Sequence, residues 1–336
     1  MESFMDENFR ILLKVAQLYY KENLTQQEIA KNLRISRPKV SRLLQQAREQ
    51  HIVQINIFPP AEDFTELENE LEKKFGLREV IVTRVDNIDQ RASVLLELGT
   101  AASKYLHRII QDEDLIGFTW GETLSTMANL VNQENKMNIS ILQMVGGLGD
   151  PDKDIHVVDI VRRVAVSMNA KMILLPAPGI VETDEAHKIL LADKSIKQAL
   201  DLAPKVDIAF AGIGVPGLSS MIVTGNIMSK DEMQRLIDLG AVGDIGLRFF
   251  DIEGNPILFD VENRVIGASL ATFRKIPHSV GVAGGHDKLN AILGAIRGKY
   301  INTLITDHFT AQQLLAETPF IAKVNNSAEG HILQRR

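Results

Sequence analysis

Residues 24–44 read Leu24-Thr-Gln-Gln-Glu-Ile-Ala-Lys-Asn-Leu-Arg-Ile-Ser-Arg-Pro-Lys-Val-Ser-Arg-Leu-Leu44. Thr25 is a helix N-cap, and Glu28 three residues on completes a capping box. The pattern predicts a short helix over 26–33, a break at Arg34-Ile35, and Ser36 as a second N-cap. Pro38 falls in the first turn of the next helix, where the amide it lacks would be unpaired anyway. That helix, over 37–49, turns Val40, Leu43, Leu44 and Ala47 to one side. Upstream, positions 9, 12, 13, 15, 16 and 19 are apolar at a helical period, which makes a longer supporting helix. Two short helices joined by a tight turn and backed by a third form helix-turn-helix geometry. Such a turn favours glycine at position 34. Arg34 there costs roughly 1 kcal/mol if the left-handed geometry is kept.

The other face of the third helix carries Arg37, Lys39, Ser41, Arg42 and Gln45, side-chain types that read base edges and clamp phosphates. Gln26 and Ser36, at the starts of the two short helices, join them as expected DNA contacts. The whole chain is acidic, with a net charge of −6, which taken alone argues against nucleic acid. Position matters more than the total. Residues 1–58 carry nine Lys and Arg against six Asp and Glu, and 31–48 hold six bases and no acid. A basic run equally describes the solvated face of a plain three-helix bundle, so the helical pattern has to carry the argument.

Working outward, 52–57 alternates as a strand packed on the bundle would, and Pro59-Pro60 stops it. Helix spacing at 64, 67, 71 and 75, with a stop at Gly76, predicts a linker helix and a candidate contact between chains. The expected division is a DNA-binding domain over 1–58, a linker over 59–78, an effector domain over 79–322 and a polar tail over 323–336.

A length of 336 residues fits two unequal domains, and 45% hydrophobic with 24% charged residues excludes disordered and fibrous classes. The chain has no cysteine, which excludes disulfide frameworks, thiolate zinc sites and cysteine nucleophiles. The N-terminus carries acids ahead of its first base, unlike a secretion signal. An uncharged run over 208–229 holds four glycines and Pro216, so it reads as strand and loop rather than a membrane span. A soluble, cytoplasmic protein is expected.

Beyond residue 79, apolar runs at 80–85, 115–120, 139–145, 171–175, 206–213, 279–283 and 303–306 alternate with helical stretches at 90–110, 123–132, 156–168, 184–202, 230–239 and 287–297. Strands apolar throughout and separated by helices indicate an α/β domain whose parallel sheet is covered on both faces. Residues 249–256 suggest an inserted hairpin turning at Gly254-Asn255. Ligands of such sheets bind in the loops beyond the strand C-termini. Those loops include Gly117-Phe-Thr-Trp-Gly-Glu-Thr123, whose amides, Thr119 and Thr123 suit a phosphate. Others are Gly146-Gly147-Leu148-Gly149, Gly212-Ile-Gly-Val-Pro-Gly217 and Gly281-Val-Ala-Gly-Gly-His-Asp-Lys288. Lys288 in a first helical turn opposes the helix dipole unless an anion sits there; a solvated surface lysine is the plainer reading. Gly212-x-Gly214-x-x-Gly217 matches a dinucleotide fingerprint, yet Pro216 and the following loop deny it the immediate helix it needs. No nucleophile elbow, zinc-protease motif or phosphate loop is present. His156 and His286 beside acids, and Asp244 near Asp251, are weak signals of metal or acid/base chemistry.

The helix-turn-helix above, Gly117-Phe-Thr-Trp-Gly-Glu-Thr-Leu124, Gly240-Ala-Val-Gly-Asp-Ile245 and Val282-Ala-Gly-Gly-His-Asp-Lys-Leu-Asn-Ala-Ile292 together resemble the SorC family of bacterial transcriptional regulators, in order over nearly the whole chain. The resemblance implies a Rossmann-like, sugar-phosphate isomerase-like effector domain and tetramers that bind operator DNA under control of a sugar, polyol or sugar phosphate. No cofactor or metal and no catalysis are implied. By position, Gly121, Glu122, Thr123 and Lys288 resemble phosphate or sugar contacts, with Asp244 and Arg248 facing the sugar. Val145 stands where some relatives place a Schiff-base lysine, so covalent capture is not expected. Glu122 replaces a threonine of some phosphosugar-binding relatives, leaving a monophosphate or an unphosphorylated polyol open. The competing class is a sugar-phosphate isomerase or NAD-dependent enzyme with an accessory DNA-binding head.

Overall fold

The computed structural model describes residues 7–53, 63–133, 136–147 and 157–317. The chain divides between Glu62 and Asp63 into two compact units. The first is α1 (Glu7–Tyr20), α2 (Gln26–Leu33) and α3 (Arg37–Glu49). Thr25 and Glu28 form the reciprocal capping box, and Ser36 caps α3 with Pro38 in its first turn. Arg34 takes the left-handed conformation, φ 52° and ψ 42°, so the turn keeps its geometry without glycine. Ile29, Val40, Leu43, Leu44 and Ala47 meet Leu12, Val15 and Ala16 in one small core. The strand expected over 52–57 falls mostly outside the described residues. Ile52 and Val53 lie in a bend.

The second unit opens with α4 (Thr65–Phe75), ended by Gly76 at φ 66°. Its spacing suggests a linker, but it packs into the larger unit. Leu71 is fully buried, and the carboxylates of Glu72 and Glu68 accept from the edge-strand amides of Val80 and Val82 at 2.9 and 2.8 Å. There follow β1 (Glu79–Thr83), α5 (Arg91–Ile109), β2 (Leu115–Phe118), α6 (Glu122–Leu130), β3 (Ser140–Gln143), α7 (Val157–Ser167), β4 (Lys171–Ile173), α8 (Asp184–Ala192) and α9 (Lys194–Leu202). Next come β5 (Ile208–Gly212), α10 (Met221–Thr224), α11 (Lys230–Asp238), β6 (Gly243–Ile245), β7 (Arg248–Phe250), α12 (Leu270–Phe273), β8 (His278–Val282), α13 (Leu289–Arg297), β9 (Thr303–Asp307) and α14 (His308–Ala316).

Seven strands form one parallel sheet in the order β1-β9-β8-β5-β2-β3-β4. Apolar side chains of α5, α6 and α7 cover one face, and those of α4, α9, α13 and α14 the other. From β2 the chain winds outward through β3 and β4; from β5 it winds the opposite way through β8 and β9. The direction reverses between β2 and β5, and a crevice opens at such a reversal beyond the strand C-termini.

Several expectations need correcting. The stretch 184–202 is two helices, because Asp193 leaves helical geometry and its carboxylate caps α9 through the amides of Ser195 and Ile196. The hairpin is β6–β7, turning at Gly246 and Leu247, which have φ of 59° and 69°. Gly254-Asn255 makes only a further turn that closes a single bridge between Phe250 and Pro256. Lys288 is the N-cap of α13 rather than a first-turn residue. The last described helix, α14, capped by Asp307, is an element beyond those expected. The expected tail over 323–336 lies outside the described residues.

Candidate functional site

A cavity of about 690 Å³ sits at the reversal point, bounded by the loops that follow the adjacent strands β2, β5 and β8. Helices α5, α6 and α13 begin at its edge, and none of their N-cap residues, Gln90, Gly121 and Lys288, supplies a side-chain capping bond. Elsewhere α2, α3, α8, α9, α11, α12 and α14 carry Ser, Thr or Asp caps, whereas α4 and the four-residue α10 also begin without a side-chain cap. Uncapped first-turn amides beside a cavity are donors left for an anionic or hydroxyl-rich ligand. Gly121 has φ 140° and ψ 155°, a conformation essentially confined to glycine, and a Cβ there would meet only open space.

Two charged groups are held in the cavity against the cost of burial. Asp244, on β6, is 4% exposed, and its carboxylate accepts from the Leu247 amide at 3.2 Å. A Cβ on Gly214 would overlap Asp244 Oδ1, so glycine is required where the β5 loop crosses it. Burial pushes the Asp244 carboxyl up to about 6, opposed by the Leu247 amide and the positive charge of Lys288. The Lys288 ammonium donates to the Ile213 carbonyl at 3.0 Å. Burial pushes its pKa below the usual lysine value, while Asp287 and Asp244 oppose the shift. Lys288 is thus not a solvated surface lysine.

At the mouth, Arg91 Nε donates to Glu122 Oε2 at 2.7 Å, tying the start of α5 to the start of α6. His286 and Asp89 approach to 3.6 Å nearby. Leu95, Leu98, Trp120 and Ile222 supply an apolar wall. Of the expected effector contacts, Gly121, Glu122, Thr123, Asp244 and Lys288 therefore come together.

The others do not line this cavity. Thr119 is buried, and its hydroxyl accepts from the Gly212 amide at 3.1 Å. Gly146 and Gly147 donate their amides to Ile266 and Ala177, and a Cβ on Gly146 would overlap the Pro178 carbonyl. Arg248, expected to face a sugar, is 9% exposed and turned inward. It pairs with Glu262 and donates to the carbonyls of Ala268 at 3.2 Å and Val265 at 3.3 Å. Val145 is buried and bridges to Gly267. The glycine run 212–217 leads to the four-residue α10 only at Met221, without the helix a dinucleotide needs.

Sequence reading missed Arg91, and it named the loops that carry Trp120 and Gly214 without giving those two residues a role. The absent caps were a usable signal: Gln90, Gly121 and Lys288 precede helices at positions where Ser, Thr, Asp or Asn are favoured.

In the first unit, Arg37, Lys39, Ser41, Arg42 and Gln45 are exposed on α3, with Ser36 exposed at its start and Gln26 half-buried on α2. Among the described residues no ion pair engages Arg37, Lys39 or Arg42. Gln45 donates to Glu49 at 2.8 Å. No described helix is long and apolar enough to cross a membrane, and no described cluster of His, Asp and Glu has the arrangement of a metal site.

A helix-turn-helix unit followed along the chain by an α/β unit with an anion-suited cavity defines a ligand-responsive transcriptional regulator. The sugar-binding domain family model matches residues 59–316, and the model for region 4 of sigma-70 matches 14–50. The deoxyribonucleoside regulator of Bacillus subtilis is 31% identical over 309 residues, covering 92% of this chain and 98% of that one. The sorbitol operon regulator of Klebsiella pneumoniae is 30% identical over 311 residues, covering 92% and 98%. The crystal structure of full-length SorC from the same organism superposes with a TM-score of 0.71 at 29% identity, covering 93% of this chain and all of that one. The chain belongs to the SorC family of sugar-binding transcriptional regulators.

Proposed function

We propose that the protein controls a carbohydrate-utilisation operon by binding operator DNA through α2 and α3, with a sugar, polyol or sugar phosphate in the cavity setting the affinity. The observation that carries this reading is the meeting of three uncapped helix N-termini with Lys288 and the buried Asp244 around one space. The amides and Lys288 suit a phosphate or a polarised hydroxyl, and Asp244 suits a hydroxyl donor. Glu122, paired with Arg91, supplies negative charge at the start of α6, which favours one phosphate over two. The cavity serves to sense rather than to transform its ligand, and the protein works in the cytoplasm, where its operator is. A homotetramer presenting paired heads to operator half-sites fits the reading.

Trp120 is the only tryptophan in the chain and lines the cavity, so its fluorescence reports occupancy. The test is a thermal and fluorescence screen of free hexoses, pentitols, their monophosphates, a sugar bisphosphate and inorganic phosphate. A ligand at about 100 times its Kd adds ~2.7 kcal/mol of stability. A monophosphate or polyol is expected to shift both signals and to lose both shifts in Lys288→Ala. A shift that persists in this variant rejects the assigned site, and turnover of the ligand replaces sensing with catalysis.

A further inference from the structure

Asp307 lies at the C-terminal end of β9, is fully buried, and belongs to none of the contacts so far assigned to the cavity. Its Oδ2 accepts from the Gly285 amide at 2.8 Å and the Thr310 hydroxyl at 2.7 Å, and its Oδ1 accepts from the Thr310 amide at 2.8 Å. The Gly285 amide also reaches Thr310 Oγ1 at 3.1 Å. One carboxylate thus caps α14 and pins the glycine loop that leads to Lys288. A Cβ on Gly284 would overlap Asp307 Oδ2, and Gly285 sits at φ 112°, so the loop is shaped around this side chain.

The next residue points the same device at another element. The His308 ring stacks on Phe64, centroids 5.4 Å apart at 24°, and its Nδ1 accepts from the Val85 amide at 3.3 Å. Phe64 is the N-cap of α4. At the other end of α14, the Lys74 ammonium from α4 donates to the carbonyls of Leu314 at 3.1 Å and Leu315 at 2.8 Å. Helix α14 is therefore fastened to the cavity loop by its first residues and to α4 at both ends. Along the chain, α4 is the first described helix after the DNA-binding unit.

We propose that Asp307 is the positioning residue of the effector loop, and that α14 carries the state of that loop to α4, the helix that follows the DNA-binding unit along the chain. The proposal rests on reading the cavity as the effector site. Coupling between sites is carried by contiguous packed and hydrogen-bonded elements, and it acts in both directions.

The test is hydrogen–deuterium exchange on the full-length protein without ligand, so its outcome stays separate from that of the ligand screen. Asp307→Asn replaces an acceptor of the Gly285 amide by a donor, and Thr310→Val removes the hydroxyl with little change of shape. Each is expected to speed exchange about tenfold over 283–289 and also over the first turns of α4, with β2 and β5 within about twofold of the parent. Phe64→Leu, at the start of α4 against His308, is expected to speed exchange over 283–289. If Asp307→Asn fails to fold, Thr310→Val and Phe64→Leu carry the same comparison. Faster exchange at the loop with α4 unchanged, an unresponsive loop in Phe64→Leu, or a uniform rise across the sheet would each overturn the proposal.

Discussion

At the scale of single residues, Asp244 has the most distinctive chemistry. Its carboxyl titrates near 6 in the folded chain because burial disfavours the charged form. An unfolded aspartate titrates at about 3.9. Between those values the native state holds the extra proton, so this group makes stability fall as pH rises. Its penalty is absent below about pH 4, complete above about pH 6, and amounts to roughly 3 kcal/mol. Asp244→Asn can still accept from the Leu247 amide but cannot ionise. Thermal melts of the two proteins at about pH 5 and pH 8 are expected to show the variant gaining relative to the parent as pH rises. A constant difference would contradict the assigned titration. In the head, Arg42→Ala is expected to weaken operator binding by about 1–3 kcal/mol while the Trp120 response to ligand stays intact. Gel-shift titration checks it, and unchanged operator affinity would remove Arg42 from the interface.

The helices and loops show why some of the site was legible in the sequence and some was not. Thr25 with Glu28, and Ser36 with Pro38, act within one turn of chain, so the boundaries of α2 and α3 follow from local chemistry alone. The strand positions were likewise readable from apolar runs, because a doubly covered parallel sheet buries nearly every residue of its central strands. The inward turn of Arg248 was not legible because its direction is set by carbonyls from residues 262–268, which no local pattern reveals. The β6–β7 turn was missed because Leu247, an unfavourable residue for positive φ, stands in it. Leu247 is fully buried and donates its amide to Asp244, so tertiary contacts override its backbone preference. Gly121→Ala tests the loop at this scale. The methyl group has room, but φ 140° does not suit it, so the cost is backbone strain of about 1–3 kcal/mol. Calorimetry is expected to show that loss, together with a weakened ligand-dependent Trp120 signal. A variant as stable and responsive as the parent would show that Gly121 does not need this conformation.

For the whole molecule, the net charge of −6 conceals an uneven distribution. The bases of 31–48 lie in the head, and the acidic excess lies in the larger unit. Such a division keeps a positive surface for DNA on a protein that the acidic unit otherwise repels from phosphate. DNA binding is therefore expected to weaken steeply with salt. Removing one phosphate-neutralising side chain, as in Lys39→Ala, is expected to lower the log–log slope by about 1. An unchanged slope would place Lys39 away from the DNA backbone. The central claim joins the two units: occupancy of the cavity changes the affinity of the head. Its most direct test selects genomic fragments on the purified full-length protein, then titrates the tightest fragment with and without the sugar monophosphate or polyol that shifts its melting. The account predicts a change in operator affinity of about five- to 150-fold, abolished in Lys288→Ala while unliganded DNA binding persists. Equal operator affinity with the cavity filled and empty would contradict it.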